Sequence, residues 1–451
     1  MDGDSLAVRF ILETQWDGLP AEVQKKARMC LMDDLSATIS GSRTRVSRIA
    51  AEFAATRMAG EEATILVHGK RATAAGAAFA NGCAANGLDT DDSARYAYGH
   101  AGAQLFPTVL AVTEARGLAG ADLLAGLVVG YEVAHRVGRC WYDHHEIYQA
   151  CGSWGSVACA AAAAHLMKLD ADQTKNALGI AEYHAPNLPM MRDIAHPAMV
   201  KHGIGWGALN GITAAELASL GFTGIPTLLA FEKYREWVAD IGRHYIMVDG
   251  VAWKAKDYAC CGWAHAAAEG SRKLLDEHHI DPQAIQRIVV ETFAESAALG
   301  TRLPTTTEEA QFNLAWPVAA MLVDGEIGPE QTLEHRLQDE TIRNLAAKVE
   351  VRESEELNEL CRLYSIGDPR GRFASSVTLI LKDGRKLESG LVGGGLAFPQ
   401  AGWNEQVMEE KFRWLVEPLL GAPATRRLME LVWRCEELDG VAELVGIVQG
   451  G

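Results

Sequence analysis

Between residues 81 and 113 the chain reads NGCAANGLDTDDSARYAYGHAGAQLFPTVLAVT, and Asp89, Asp91 and Asp92 set three carboxylates into four positions of it. The Ser93 hydroxyl follows, then His100 in a His-Ala-Gly turn, and an apolar run begins at Leu105. Carboxylates near an imidazole make a proton-transfer set, because a carboxylate tunes and orients a histidine that titrates near neutral pH. His100 just before an apolar helix also places the backbone N–H groups of Ala101 and Gly102 where an anion is favoured. The same aspartates invite a metal reading, which their spacing does not support. Counted from Asp89, a calcium loop needs Gly sixth and Glu twelfth, where this chain has Ala94 and His100. A third aspartate after Asp91-Asp92, as an isoprenoid synthase would carry, is replaced by Ser93-Ala94-Arg95. No metal is therefore expected, and the plain alternative is an acidic turn capping a helix.

Two lysines stand in distinctive surroundings. Lys201 lies in Met-Val-Lys-His-Gly-Ile-Gly-Trp-Gly, before a helical stretch, and Lys256 lies in Trp-Lys-Ala-Lys-Asp-Tyr-Ala-Cys-Cys-Gly-Trp-Ala-His, with His265 nine residues on. Either ammonium could clamp a carboxylate or stabilise an enolate-like intermediate; a solvated surface lysine is the ordinary alternative. Cys260-Cys261 is too close for an ordinary disulfide, and burial is its expected role.

The elements that must position these groups are mostly helices as far as about residue 270. Ala72–Leu88, Gln104–Arg116, Ala121–Val137, Ser153–Met167, Asp170–Ala185 and Ala208–Leu220 are rich in good helix formers and poor in β-branched residues. Pro20 reads as the first position of a helix closed by Gly41. Beyond about residue 280 the period changes. Ile285–Thr292, Lys348–Arg352 and Phe373–Lys382 alternate as strands, and Asp383-Gly384 reads as a two-residue hairpin turn into Arg385–Ser389. Helices are expected between them, near 307–325 and 338–347. After Gly393-Gly394-Gly395 and Pro399, helices return near 404–419 and 424–437. The expected fold is mainly α with an inserted α+β domain. Residues 1–270 begin a large all-helical domain, 271–395 form a smaller α+β lid domain, and 396–451 complete the helical domain.

With 451 residues, 48% hydrophobic and 22% charged, the chain has the composition of a globular protein of more than one core. A net charge of −17 argues against nucleic acid and anionic membrane as partners, while leaving room for a locally cationic pocket. Nine scattered cysteines without a CxxC pair fit buried thiols in a reducing cytoplasm rather than a zinc ribbon. The acidic start MDGDSLAVRF lacks a signal-peptide n-region, and no apolar run is long enough to span a bilayer. A cytoplasmic location is expected.

In this order the motifs resemble those of the MmgE/PrpD family, which includes 2-methylcitrate dehydratase, cis-aconitate decarboxylase and iminodisuccinate epimerase. Asn81-Gly82…Leu88-Asp89-Thr90-Asp91-Asp92 is similar to its NG…LDfDD signature, Gly99–Ala103 with Pro107 to GHPGA…P, and Gly130–Val133 with Arg136 to GYEv…R. Lys201–Gly224, Lys256-x-Tyr258-x-Cys260…His265, Glu309–Phe312 and Lys411-Phe412 match further landmarks over nearly the whole length. The sequence departs from the family at Asn86, at Trp316, and at Glu146, Tyr148 or Gln149, where histidines or a tyrosine are common. The resemblance implies a homodimer with no organic cofactor, whose active site lies between helical domain and lid. It carries Asp89, His100, Lys201 and Lys256 over as catalytic, and Ser93, His265 and the Ala101-Gly102 backbone as substrate-binding. The reaction it implies begins with proton removal from a carbon next to a carboxylate. A hydro-lyase acting on a small hydroxy- or unsaturated di- or tricarboxylic acid comes first. An epimerase of a dicarboxylate or amino-acid-like acid, a decarboxylase, and a non-catalytic carboxylate-binding homologue follow.

Overall fold

The structure, a computed structural model, describes residues 1–254, 256–365, 368–393 and 404–449. It combines a large helical part with an α+β part, as the periodicities require. The helices Ala21–Gly41, Ala74–Ala85, Gly102–Arg116, Gly120–His144, Gly152–Leu166 and Ile204–Ser219 bury one apolar core. Their many small residues let the axes approach closely. A Cβ on Gly211 would lie 2.3 Å from Cβ of Cys159, and one on Gly155 would lie 2.1 Å from the Gln104 side chain. The C-terminal segment Glu405–Trp433 packs on Ala21–Gly41, and Met408, Phe412, Leu415 and Val416 join the same core. It is broken at Gly421, whose φ of 74° is left-handed, close to the gap expected between its two helices. Ala21–Gly41 begins one residue later than expected, with Pro20 in the cap position.

A second core gathers residues from Tyr258 to Leu381 together with Ala150, Met190 and Ile194. Its four-stranded sheet runs in the order Val349–Glu353, Ile285–Thr292, Ala374–Leu381, Lys386–Gly393. The first pair is parallel and the others antiparallel. The helix His265–His278 packs across Ala374–Leu381 and Lys386–Gly393. The hairpin turn differs from expectation. Leu381 N–H donates to the Arg385 carbonyl at 2.9 Å, so the loop has three residues, Lys382 to Gly384, with Gly384 at φ 89°. Three-residue hairpins take this form, with a left-handed residue at the third position. The expected link Gly394-Gly395 to Pro399, and with it the boundary at 395, lies outside the described residues.

For the site, the smallest sheet matters most. Ser93 pairs with Ala252 and Ala94 with Val251, antiparallel. This pairing ties the acidic loop after Ala74–Ala85 to the segment carrying Lys254, more than 150 residues further on.

Candidate active site

The helix Ala74–Ala85 stops at Asn86, whose side-chain amide donates to Asp91 Oδ1 at 2.9 Å and Asp89 Oδ1 at 3.3 Å. The chain then turns through Asp89, held at φ 55°, and Asp89, Asp91 and Asp92 are all buried. Each carboxylate meets a different neighbour. Asp89 Oδ2 lies 2.7 Å from Nζ of Lys254, which also donates to the Asp89 carbonyl at 2.6 Å. Among the described residues the third ammonium hydrogen of Lys254 has only the Cys260 carbonyl at 3.5 Å, which leaves it for a ligand. Asp91 Oδ2 lies 2.9 Å from Nδ1 of His100. Asp92 accepts from the Gly102 N–H at 3.0 Å and from the Tyr131 hydroxyl at 2.8 Å.

His100 is fixed in one tautomer. Its Nδ1 faces two acceptors, the Asp92 carbonyl at 2.8 Å and the Asp91 carboxylate, so Nδ1 carries a proton and Nε2 is the reactive nitrogen. Burial works against the imidazolium, but Asp91, with help from Asp89, outweighs it and raises the His100 pKa. Burial opposes ionisation of Asp89 too, yet Lys254, His100, Lys201 and His202 together hold its carboxyl well below the usual range. Lys254 is desolvated, and Asp89 and Asp91 still raise its pKa.

A second imidazole faces the first. The rings of His100 and His202 stack with centroids 5.6 Å apart and planes 12° from parallel. Asp193 Oδ2 lies 2.7 Å from His202 Nδ1 and also accepts the His202 N–H at 3.0 Å. Lys201, His202 and Gly203 all have positive φ, of 40°, 54° and 68°, a run that turns His202 inward between Met190–Ala195 and Ile204–Ser219. His202 is not among the residues that the sequence singles out, unlike its neighbour Lys201. The signal available was a histidine before a glycine at a helix entry.

His100, His202, Lys254 and Ser93 line a cavity of about 270 Å³ whose opposite wall carries Trp263, Glu295, Cys361, Tyr364 and Phe373. The cavity therefore lies between the helical core and the α+β part. Its size suits a small molecule.

Of the other expected residues, Lys201 is buried near the cluster but off the cavity wall. Its Nζ donates to Gln311 Oε1 at 2.7 Å and sits 4.8 Å from the Phe312 ring centroid. Lys256 is not brought to the cleft. It is exposed in a shallow surface depression beside Glu410, Arg413 and Trp414. The cause is local: strand pairing ends at Ala252, Lys254 points in, and the backbone reverses at Asp257 with φ 76°. Lys254 thus occupies the place expected for Lys256. His265 is buried off the cavity, its Nε2 3.0 Å from the Cys260 carbonyl, its ring stacked on Tyr258, and its pKa pushed down to about 3 by burial. Ala101 and Gly102 are buried and off the wall, and the Gly102 N–H is spent on Asp92, so this amide is no anion hole. Gly102 does admit the acidic cluster, because a Cβ there would lie 2.0 Å from Asp34 Oδ1.

Asp89, His100 and His202 bring one donor atom each within 4.8 Å of one another. A divalent ion there would need the side chains to close up and would compete with the Lys254 ammonium for Asp89. The described charges instead make a cation site already neutralised by a lysine, beside an imidazole held ready to donate a proton.

The fold is a helical core joined to an α+β part, with a histidine and a lysine held by aspartates at their junction. Residues 5–239 match the MmgE/PrpD N-terminal domain and residues 258–437 the MmgE/PrpD C-terminal domain. The chain belongs to the MmgE/PrpD family. It is 25% identical to a cis-aconitate decarboxylase-like protein of Aspergillus oryzae, over 98% of this chain and 96% of that protein. It is 27% identical to the cis-aconitate decarboxylase of Homo sapiens, over 95% of this chain and 90% of that one. The cis-aconitate decarboxylase of Aspergillus terreus is 23% identical, over 96% and 93%. Among the described residues no helix is long and apolar enough to cross a membrane.

Proposed function

We propose that the protein is a lyase that moves a proton at a carbon next to a carboxylate of a small organic acid. The observation that carries this reading is the pairing of Lys254 and His100 on one cavity wall, each backed by its own aspartate. Lys254 holds the substrate carboxylate with its remaining N–H and stabilises the charge that builds there when the neighbouring carbon loses its proton. His202, oriented through Nδ1 by Asp193, takes that proton. His100, whose pKa Asp91 raises, gives its Nε2 proton to a departing β-hydroxyl, and water and an alkene result. Ser93, on the same wall, hydrogen-bonds the acid. Asp89 and Asp91 act through Lys254 and His100.

Loss of CO2 is the second reading, and the names of the relatives favour it. In that reaction His100 protonates the carbanion that CO2 leaves behind. The acids are incubated with the enzyme in heavy water and followed by NMR. A new alkene signal with release of water supports dehydration, and release of CO2 supports the second reading. Exchange of the α-hydrogen without net conversion points to an epimerase. Binding without any exchange or product removes the enzyme reading.

A further inference from the structure

The wall opposite His100 and Lys254 says which acids fit. Tyr98, Tyr142 and Tyr148 line the cavity, yet each hydroxyl is already donated to a backbone carbonyl. Tyr98 donates to Ser365, Tyr142 to Tyr98 at 3.1 Å, and Tyr148 also to Tyr98 at 3.0 Å. These three residues therefore present rings rather than donors. Trp263 and Phe373 extend the apolar surface. The thiols of Cys261 and Cys361, which also line the cavity, are pushed up to about 12 by burial and stay neutral.

Formal charge points the same way. Arg95, Lys254 and His100 face the cavity; Glu295 faces it too, and Asp89 and Asp91 stand directly behind His100 and Lys254. The carboxylates of Asp89, Asp91 and Glu295 offset these cationic groups before any substrate arrives. Glu295, whose Oε2 lies 3.6 Å from Sγ of Cys361, sets a carboxylate among the rings of this wall, where the Arg95 guanidinium lies 5.8 Å from the Tyr364 ring centroid. A second or third substrate carboxylate would be desolvated against aromatic rings and repelled by Glu295.

We infer that the site takes acids with a single carboxylate and an apolar remainder, and that Glu295 is a specificity residue that turns away polycarboxylates. This inference rests on the reading of Lys254 as the carboxylate clamp.

The test separates preference from chemistry. Binding of short-chain and aryl-substituted 3-hydroxy monocarboxylic acids, of malate and of cis-aconitate is measured by saturation-transfer NMR, which needs no turnover. The monocarboxylates are expected to bind at least about tenfold tighter than either polycarboxylate. Equal or tighter binding of cis-aconitate overturns the inference, whatever reaction follows. α-Hydrogen exchange in heavy water is then read on the acids that bind, and its absence refutes the proton-transfer reading while leaving the binding preference measured. Glu295→Gln is expected to narrow the gap between malate and the monocarboxylates by about tenfold. An unchanged ratio in folded Glu295→Gln removes Glu295 from the specificity argument.

Discussion

His100 is held by acceptors on Nδ1, and its catalytic worth lies in Nε2. His100→Ala should lower turnover by at least about a hundredfold, the usual yield of a positioned acid or base; steady-state rates on an acid identified by NMR check this. The imidazolium is kept by Asp91 against its own burial, so activity that needs it persists up to the raised pKa and is lost as pH rises through it. Asp91→Asn removes the carboxylate that does most to hold the imidazolium, and the alkaline limb of the kcat profile should move to lower pH. Lys254 and Lys256 make a sharper pair. Lys254→Met should cost about a hundredfold or more in kcat/KM, as loss of a charge-stabilising donor does, while the exposed Lys256→Ala should stay within about twofold, as surface changes do. Lys254→Met also leaves Asp89 buried without its cation. Its melting temperature should therefore fall, and adding Asp89→Asn should restore stability without restoring activity.

Two small elements decide which side chains meet. The two-residue ladder of Ser93–Ala94 with Val251–Ala252 sets the register that points Lys254 inward, and a register slip would send the neighbouring residue in instead. The left-handed run Lys201–Gly203 aims His202, and it packs against the start of Gly152–Leu166. A Cβ on Gly152 would lie 2.2 Å from the Gly203 carbonyl oxygen, a backbone atom that cannot rotate aside. Gly152→Ala should therefore cost roughly 1–3 kcal/mol of stability and displace His202. Denaturant titration and turnover of the same variant check both effects, and an intact enzyme with normal kcat would separate this turn from the site.

Beneath the site the whole molecule carries an unusual buried acidic layer. Asp33 pairs with Lys411 from the C-terminal segment, and Asp34 and Asp92 share the Tyr131 hydroxyl. Burial pushes Asp33 up to about 6 and Asp92 up to about 7, with Asp34 raised as well. A carboxyl with a raised folded pKa holds a proton that the unfolded chain has lost, so its contribution falls as pH rises from about 4, the unfolded value, towards about 7. Asp89 and Asp91 are lowered, and their contribution is lost in the opposite direction, as pH falls below the unfolded value. Stability should peak in mild acid, and Asp92→Asn should flatten its decline between roughly pH 5 and 8 by about 1 kcal/mol or more; urea titrations at the two pH values read this directly. Much of this organisation is legible in the chain. Helix formers through residue 270, alternation at 285–292, 348–352 and 373–382, and the Asp-Asp-Ser…His loop follow from local composition and period, which short-range sterics and burial enforce. Residue types and their order likewise pointed to the family and singled out Asp89 and His100, which the fold brings together. Which lysine enters the cleft, whether His202 or His265 faces it, and where the Gly102 amide goes were decided only in three dimensions. Each depends on the direction of a side chain or N–H, set by a two-residue ladder, a turn at Asp257 and a run of left-handed backbone that no local periodicity encodes.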